Sequence, residues 1–213
     1  MAAEAPTIVL ATGNAKKLEE VRAILGPEGV AIRGLDDFPP VPEPVEDAET
    51  FAGNARIKAV AYAAALGVPC LADDSGLCVD ALDGAPGVRS ARYAGVEGER
   101  PVRDRANNER LLAALDGVPA EHRTARFVCA MCLAAPDGTV LAESEGTFEG
   151  VIAEAPRGEH GFGYDPLLFL PDDGCTSAEL DPAEKNRRSH RGAACRAMLP
   201  RLRALHEAGR LAS

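Results

Sequence analysis

The apolar residues near the beginning of the chain predict a strand that leads through a tight turn into a helix. The run from Ile8 to Ala11 is followed by Thr12-Gly13-Asn14. Residues 18–25 then carry leucine, valine and isoleucine at helical spacing, and Gly26-Pro27 ends the pattern. Asn14 is of a residue type that caps helices, so we expect it to be the N-cap of the first helix.

The next segment predicts a loop, a helix and a buried strand. Residues 36–49 are acidic and rich in proline, which removes backbone donors and fixes φ, so we expect a long loop. Residues 50–66 form an alanine-rich pattern that Gly67 closes, typical of a helix. Residues 68–72 predict a buried strand that ends at Asp73-Asp74-Ser75-Gly76.

The second half predicts a helix, a hairpin and more strands. We expect a helix over 102–115, followed by two strands over 126–135 and 139–144 that join at Pro136-Asp137-Gly138. Residues 147–153 predict a further strand. Strands separated by helices, together with a hairpin, indicate an α/β protein whose sheet is mixed rather than purely parallel.

The end of the chain predicts two further helices. Asp181 and Ser189 are of the residue types that occur as helix N-caps. Residues 192–205 are amphipathic, and Pro200 predicts a kink in that segment.

Length and composition support one globular domain. The chain has 213 residues, of which 46% are hydrophobic and 26% charged, and this excludes a disordered or low-complexity protein. We expect one domain over 1–213, with residues 1–6 as a disordered extension. The longest apolar run, residues 127–135, is shorter than the roughly 20 residues that span a bilayer. The acidic N-terminus lacks a signal-peptide pattern, so we expect a cytoplasmic protein that does not bind membranes.

Charge and cysteines restrict the functional classes further. The formal net charge of −10 argues against general binding to nucleic acid, which needs cations that neutralise phosphate. Residues 185–210 nevertheless contain eight Lys or Arg and one acid, which favours a local anion site. Among the six cysteines, Cys129 and Cys132 form a CxxC motif, but the chain has no second CxxC or pair of histidines that would complete a zinc site. We expect buried thiols in a reducing compartment.

Two motifs in the first half suggest phosphate and metal chemistry. If Asn14 caps the helix, Lys16 and Lys17 lie in its first turn, where the helix dipole disfavours cations. A bound polyanion would resolve this conflict, although both lysines could instead extend into solvent. The adjacent acids Asp73 and Asp74 can bind magnesium and accept a proton from water, although Asp-Asp-Ser-Gly is also typical of a turn.

Three further features suit a nucleotide. Lys58 lies in a helix without acids, where it could bind phosphate or extend along the helix surface to water. Glycines flank Phe162, which suits a platform for stacking a base, although these aromatics could also fill the core. Residues 185–192 are basic and can donate to keto oxygens or phosphate, but a solvated helix end would have the same composition.

Five segments of the chain resemble, in order, the inosine triphosphate pyrophosphatase family, the non-canonical purine NTP pyrophosphatases of the RdgB type. They are ATGNAKKLEEV, TFAGNA with its preceding acidic loop, LADDSGLCVDALDGAPGVRSARYAG, GFGYDPLLF and EKNRRSHRG, within residues 7–206. The resemblance implies a long twisted mixed β-sheet flanked by helices, two lobes around a central cleft, and a homodimer. It also implies hydrolysis of ITP, dITP and XTP to the monophosphate and pyrophosphate, which removes deaminated purines from the nucleotide pool.

The resemblance also assigns substrate ligands. Those on the phosphate side are Thr12, Gly13, Asn14, Ala15, Lys16, Lys17, Lys58 and Ser75. The others are Phe162, which stacks on the purine, Gly163 and Tyr164, and the residues around the edge of the base, Asp165, Lys185, His190 and Arg191.

The metal site implied by the resemblance contains Mg²⁺ bound by Glu46 and Asp74, with Asp73 nearby. Asp74 is also the implied proton acceptor for the attacking water. Many relatives carry a glutamate two positions after the phenylalanine that is Phe51 here, whereas this chain has Gly53. Three acids of the preceding loop could complete the metal shell, namely Glu46, Asp47 and Glu49, and we expect Glu46 from its distance to Phe51.

Two other functions use part of the same residues. A phosphatase of the haloacid dehalogenase type also has acids at a strand end, but it needs an Asp-x-Asp pair that Asp73-Asp74-Ser75 lacks. A non-catalytic nucleotide sensor would keep the lysines and the stacking loop without needing the acids. The products released from a purine triphosphate distinguish these alternatives.

Overall fold

The computed structural model describes residues 6–211, and these contain seven strands and five α-helices. In chain order they are β1 (Thr7–Leu10), α1 (Ala15–Leu25), β2 (Ala31–Arg33), α2 (Phe51–Leu66), β3 (Cys70–Val79), α3 (Arg100–Ala114), β4 (Thr124–Ala134), β5 (Val140–Ile152), β6 (Leu168–Leu170), β7 (Cys175–Thr176), α4 (Pro182–Arg188) and α5 (His190–Glu207). Of the expected N-terminal extension, residues 1–5 lie outside the described residues. Pro6 is buried, and its carbonyl accepts a hydrogen bond from the Ala31 N–H at 2.9 Å.

The strands form one mixed sheet in the order β2-β1-β3-β4-β5-β6-β7. β1 is parallel to both β2 and β3. β6 is antiparallel to both β5 and β7. The prediction of an α/β protein with a mixed sheet is therefore confirmed. None of the helices within residues 6–211 combines the length and apolar character that crossing a membrane requires.

The chain divides into two compact units, and the first contains Met1–Asp74, Cys129–Gly146 and His190–Ser213. Alternate residues of its strands pack on opposite faces of the sheet, as the two-residue period of a strand requires. Leu10 and Leu71 pack with residues of α1 and α5. Ala11 and Ala72 pack with residues of α2. Each sheet face of this unit therefore has its own helical layer.

The second unit contains Ser75–Val128 and Thr147–Ser189. Its core joins Leu77 of β3 to Leu111 of α3 and Phe148 of β5. Tyr164 also belongs to this core, and its hydroxyl donates to the Ser90 carbonyl at 2.9 Å. One of the aromatic residues in the predicted stacking loop is therefore a core residue.

The structure corrects the predicted end of the third strand. Asp73-Asp74-Ser75-Gly76 is not a turn, because β3 continues through it to Val79. The alternation of buried residues resumes at Leu77 and Val79, and the burial of these side chains overrides the local turn preference. β1, however, pairs with β3 only as far as Leu10 and Leu71. Asp73 and Asp74 therefore lie just beyond Leu71, the last residue of β3 that pairs with the parallel strand β1.

Residues 147–152 are in a strand, as predicted, but they do not form a separate one, since β5 runs without a break from Val140 to Ile152. Gly146 does not interrupt it. A Cβ at this position would collide with the backbone of His190 and Ala194, so the glycine permits α5 to pack closely on the strand. The hairpin itself is confirmed, with the Ala135 N–H donating to the Thr139 carbonyl at 2.8 Å. The short strands β2, β6 and β7 have no clear signal in the sequence.

Candidate functional site

The beginning of α1 separates its two lysines. As predicted, Asn14 is the N-cap, and its side chain accepts from the N–H groups of Lys16 and Lys17 at 3.1 and 3.4 Å. The side chain of Lys17 reaches Asp73, with 2.9 Å between Nζ and Oδ2. The side chain of Lys16 pairs with Glu19 on the surface. Only one of the two lysines therefore joins the buried acids.

Asp73 and Asp74 are adjacent in sequence, but the two-residue period of β3 gives them different partners. Asp73 lies on the face of α1 and α5, where its Oδ2 is 3.1 Å from Arg191 and 2.9 Å from Lys17. Asp74 lies on the face of α2, where it accepts a hydrogen bond from Asn54 at 3.2 Å and lies 3.4 Å from Lys58.

These partners move the two carboxyl pKa values in opposite directions. Burial disfavours the charge of Asp73, but Lys17, Arg191 and Lys58 outweigh it and hold the pKa of this carboxyl well below its ordinary value. Burial dominates at Asp74 and raises the pKa of its carboxyl, although Lys58 and Lys17 act against it. One acid is thus kept ionised, while its neighbour binds protons more readily.

Lys58 is buried, with 8% of its surface exposed, so it does not extend into solvent as lysines on helices usually do. Its Nζ lies 2.7 Å from Glu46 and 3.4 Å from Asp74. Burial acts to lower the pKa of this lysine, but Asp74, Asp73 and Glu46 together raise it. The lysine therefore stays charged between two carboxylates.

The acidic loop delivers Glu46 to this cluster. The Ala48 N–H donates to the Asn54 side chain at 3.0 Å, which fixes the loop against the first turn of α2. A Cβ at Gly53 would lie 2.6 Å from the Cβ of Ala48. Glycine in place of the relatives' glutamate therefore allows the acidic loop to pack against the first turn of α2. Asp47 and Glu49 are exposed. Of the three candidate acids in the loop, Glu46 is the one that contacts Lys58.

Arg191 is fully buried, and its guanidinium pairs with Asp73 at 3.1 Å and with Glu20. Its expected place at the edge of the base, with Asp165 and Lys185, stays a prediction. Burial acts against its charge, yet Asp73 and Glu20 hold the pKa of Arg191 above its ordinary value. Arg191 therefore belongs with the acids of β3.

In the second unit, Asp165 organises the loop that carries Phe162. Its carboxylate accepts hydrogen bonds from the Phe162 N–H at 2.8 Å and the Ser177 hydroxyl at 2.8 Å. Lys185 Nζ lies 2.6 Å from the same carboxylate and 5.3 Å from the centroid of the Phe162 ring. Phe162 is half-buried, unlike Tyr164. A flat, partly accessible ring therefore lies beside a fixed cation.

Helix α3 supplies contacts to this loop that our sequence reasoning missed. Arg100 lies over the Phe162 ring, with its guanidinium carbon 4.4 Å from the ring centroid. The Gly163 N–H donates to Asp104 at 2.9 Å, and Asn108 donates to the Gly163 carbonyl at 3.1 Å. Their spacing of four residues places all three on one face of α3. This spacing is visible in the sequence and could have indicated that the three residues contact one segment.

The other predicted site residues take varied positions. Gly13 and Ala15 are exposed, and Thr12 is half-buried, with its hydroxyl accepting from the Asn14 N–H at 3.2 Å. Ser75 follows Asp74 on β3 and is half-buried. His190 is buried at the first position of α5.

The other arginines of the basic segment form ion pairs, and the CxxC cysteines pack in the core. Arg187 and Arg188 of the basic segment pair with Glu184 and Asp173. Cys129 and Cys132 are free and buried and pack on opposite faces of the sheet, as predicted. Cys70 and Cys195 are also buried, whereas Cys78 and Cys175 are only half-buried.

Comparison with known proteins decides the family. The family model described as "Ham1 family" matches residues 8–201. A dITP/XTP pyrophosphatase of Geobacillus kaustophilus is 54% identical over 187 residues, which are 88% of this chain and 89% of the relative. The chain belongs to the Ham1 family. This confirms the family resemblance found in the five sequence motifs.

Two further similarities cover almost the whole of this Ham1 protein. A dITP/XTP pyrophosphatase of Nocardia farcinica is 54% identical over 202 residues, 93% of this chain and 95% of the relative. The solved structure of a HAM1 protein from Coxiella burnetii is 40% identical, with a TM-score of 0.82, covering 93% of this chain and 99% of that one. Family membership therefore rests on sequence and fold together.

Within this Ham1 protein, the predicted site residues form two groups. The first unit brings together Glu46, Lys58, Asp73, Asp74, Lys17 and Arg191. The second unit brings together Phe162, Asp165 and Lys185. Lys16 joins neither group, and Asn54 and Glu20 are partners that sequence reasoning did not single out.

Proposed function

We propose that this chain hydrolyses dITP, XTP and ITP to the corresponding monophosphate and pyrophosphate. The observation that carries the proposal is the cluster in which Lys17 lies 2.9 Å from Asp73, and Lys58 lies 2.7 Å from Glu46 and 3.4 Å from Asp74. Acids and lysines held this close suit a Mg²⁺ ion bound together with the phosphates of a nucleotide. The names of the relatives with 54% identity support the same reaction.

The acids of the first unit fit a divalent metal bound together with phosphate. Within the described residues, no three His, Cys, Asp or Glu side chains are grouped so that they could hold a metal by themselves. Glu46 and Asp74 nevertheless lie within 3.4 Å of the same Lys58 ammonium, and Mg²⁺ commonly takes one or two carboxylates plus substrate phosphates. The buried Oδ1 of Asp73 has no hydrogen-bond partner among the described residues.

We therefore assign Glu46 and Asp74 as the ligands of Mg²⁺, with Asp73 nearby. When bound, the ion would neutralise phosphate charge and make pyrophosphate a better leaving group. Lys17 and Lys58 bind phosphate oxygens as the charge on them grows. Asp74 accepts the proton of the water that attacks the α-phosphorus.

The second unit supplies the base ligands in this proposal. The Phe162 ring stacks on the purine. Lys185, held by Asp165 at 2.6 Å, presents donors that match a 6-keto oxygen. A 6-amino group would face another donor and leave it unpaired, which is costly in a buried site. His190 and Arg191 are the other base ligands in this proposal, and Arg191 also pairs with Asp73 at 3.1 Å.

The test of this function is product analysis with matched substrates. Purified protein with excess Mg²⁺ is expected to release pyrophosphate from dITP, XTP and ITP, with ATP as a poor substrate. Release of orthophosphate would instead support a phosphatase. Binding of ITP without any hydrolysis would support a sensor. Neither alternative is supported by the similar proteins, whose names are those of pyrophosphatases.

We propose a cytoplasmic homodimer that binds neither nucleic acid nor membranes, in keeping with the net charge of −10. Size-exclusion chromatography with light scattering measures the mass of the protein in solution. The mass of a single chain would contradict the homodimer.

Replacing Phe162 with alanine is expected to raise KM for ITP about tenfold with little change in kcat. The reason is the loss of ring stacking, which contributes about 1–3 kcal/mol for each base. Steady-state pyrophosphate release measures both constants. Phe38→Ala is the matched control, because Phe38 is another half-buried ring beneath an arginine, 4.2 Å from Arg33. Equal KM values for the two variants would argue against a stacked base.

A further inference from the structure

The loop at Phe162 is held by two matching arrangements of an aspartate, a cation and a backbone N–H. In one, Asp165 accepts from the Phe162 N–H at 2.8 Å and pairs with Lys185 at 2.6 Å. In the other, Asp104 accepts from the Gly163 N–H at 2.9 Å and pairs with Arg100 at 3.5 Å. Both cations lie over the same aromatic ring.

The two arrangements differ in how firmly the cation is held. The side chains of Lys185 and Asp165 are 6% and 4% exposed, so this pair is a fixed part of the interior. The side chains of Arg100 and Asp104 are 36% and 22% exposed, and their ion pair is longer. Of the two cations over the Phe162 ring, Arg100 is therefore the one that can move.

The position of Arg100 also conflicts with the local preference of its helix. Arg100 is the first residue of α3, whose first turn contains no acid, and the helix dipole disfavours a cation there. Its long ion pair with Asp104 offsets this only in part. The guanidinium already lies over an aromatic ring, and a planar guanidinium stacks well on flat, electron-rich rings.

The geometry points to Arg100 as a further base-binding residue, and we propose that its guanidinium stacks on the outer face of the purine. With 4.4 Å between the guanidinium carbon and the Phe162 centroid, no ring fits between them, so Arg100 moves outward when the base enters. The purine then lies between Phe162 and Arg100. This inference rests on the proposed function, because it takes Phe162 as the stacking platform.

Asp104 is the positioning residue in this arrangement. Its carboxylate contacts both the loop and the movable cation, since it accepts from the Gly163 N–H and pairs with Arg100. Asn108, one turn further along α3, donates to the Gly163 carbonyl. The same helix face thus fixes the loop and carries the residue that stacks on the base.

The test is the binding of IMP and of pyrophosphate, measured separately by titration calorimetry on the full chain. IMP tests base recognition, whereas pyrophosphate tests only the phosphate ligands. Arg100→Ala is expected to raise the Kd of IMP about threefold to thirtyfold, which is the range of a cation–π contact, and to leave the Kd of pyrophosphate unchanged. Arg100→Lys, which keeps the charge but not the plane, is expected to give an intermediate Kd.

Arg105→Ala is the matched control, since Arg105 is an exposed arginine of the same helix and its loss changes the net charge equally. An unchanged Kd for IMP in Arg100→Ala would overturn the proposal. A lower Kd would also overturn it, because Arg100 would then compete with the base. If Phe162→Ala also leaves the Kd of IMP unchanged, the error lies in the proposed base site rather than in Arg100 alone.

Discussion

Asp74→Asn is expected to lower kcat for ITP by about 10²- to 10⁴-fold, the usual contribution of a general base. Asparagine keeps the size of the side chain and an oxygen for the hydrogen bond from Asn54, which is 3.2 Å away, but it cannot accept a proton from water. The variant should therefore still fold and bind nucleotide. Stopped-time assays of pyrophosphate release at saturating ITP measure the loss.

Two comparisons make this result specific. Asp47→Asn removes one charge from an exposed acid of the loop next to Glu46 and should keep kcat within about twofold, because exposed charges are strongly screened. A Mg²⁺ titration of Asp74→Asn separates its two proposed roles. Full recovery of kcat at high Mg²⁺ would reduce Asp74 to a metal ligand, and an unchanged kcat would refute its assignment as the base.

Local chemistry was sufficient for the parts of the fold where neighbours in sequence decide the structure. Asn14 caps α1 through the N–H groups two and three residues later, and Gly67 ends α2 in the left-handed region at φ 70°. These contacts involve no distant residue. The first two helices and the acidic loop could therefore be predicted from the residue pattern.

Long-range packing decided the features that the sequence did not reveal. The turn preference of Asp73-Asp74-Ser75-Gly76 lost to the burial of Leu77 and Val79, which depends on other parts of the chain. Lys16 and Lys17 are the same residue type, but they lie on different sides of α1 and therefore have different partners. The family motifs contain both Lys17 and Asp73, but they do not show that these two residues pair with each other.

Arg191 shows the same limit most clearly. Its partner Asp73 is 118 positions away in sequence, and the basic segment around Arg191 gives no sign of it. Neighbouring Arg187 and Arg188 pair at the surface, while Arg191 is 1% exposed. The inward direction of this arginine follows from its place on α5, whose buried residues pack with the strands of the first unit.

Arg191→Met is expected to lower the free energy of unfolding by about 3–5 kcal/mol, because it leaves Asp73 buried with one cation fewer. The loss should exceed that of any exposed pair on the same helix. Arg203→Met is the matched control, since Arg203 pairs with Glu28 at 3.0 Å with both side chains about half exposed. Such surface pairs contribute about 0–1 kcal/mol. Urea titrations followed by circular dichroism measure both variants.

The pH dependence of that difference tests its cause. In the wild type the pKa of Asp73 is below its ordinary value, so the ionised carboxylate stabilises the fold at pH values above about 4, and this stabilisation fades as the pH falls further. Without Arg191 the pKa of Asp73 rises, and less of this stabilisation exists to be lost. The gap between wild type and Arg191→Met should therefore be largest near pH 7 and narrow in acid. A gap that stays constant from pH 7 to pH 3 would show that the loss is one of packing rather than of charge. Arg191→Lys, which keeps a cation beside Asp73, should fall between the two at pH 7 and converge with them in acid.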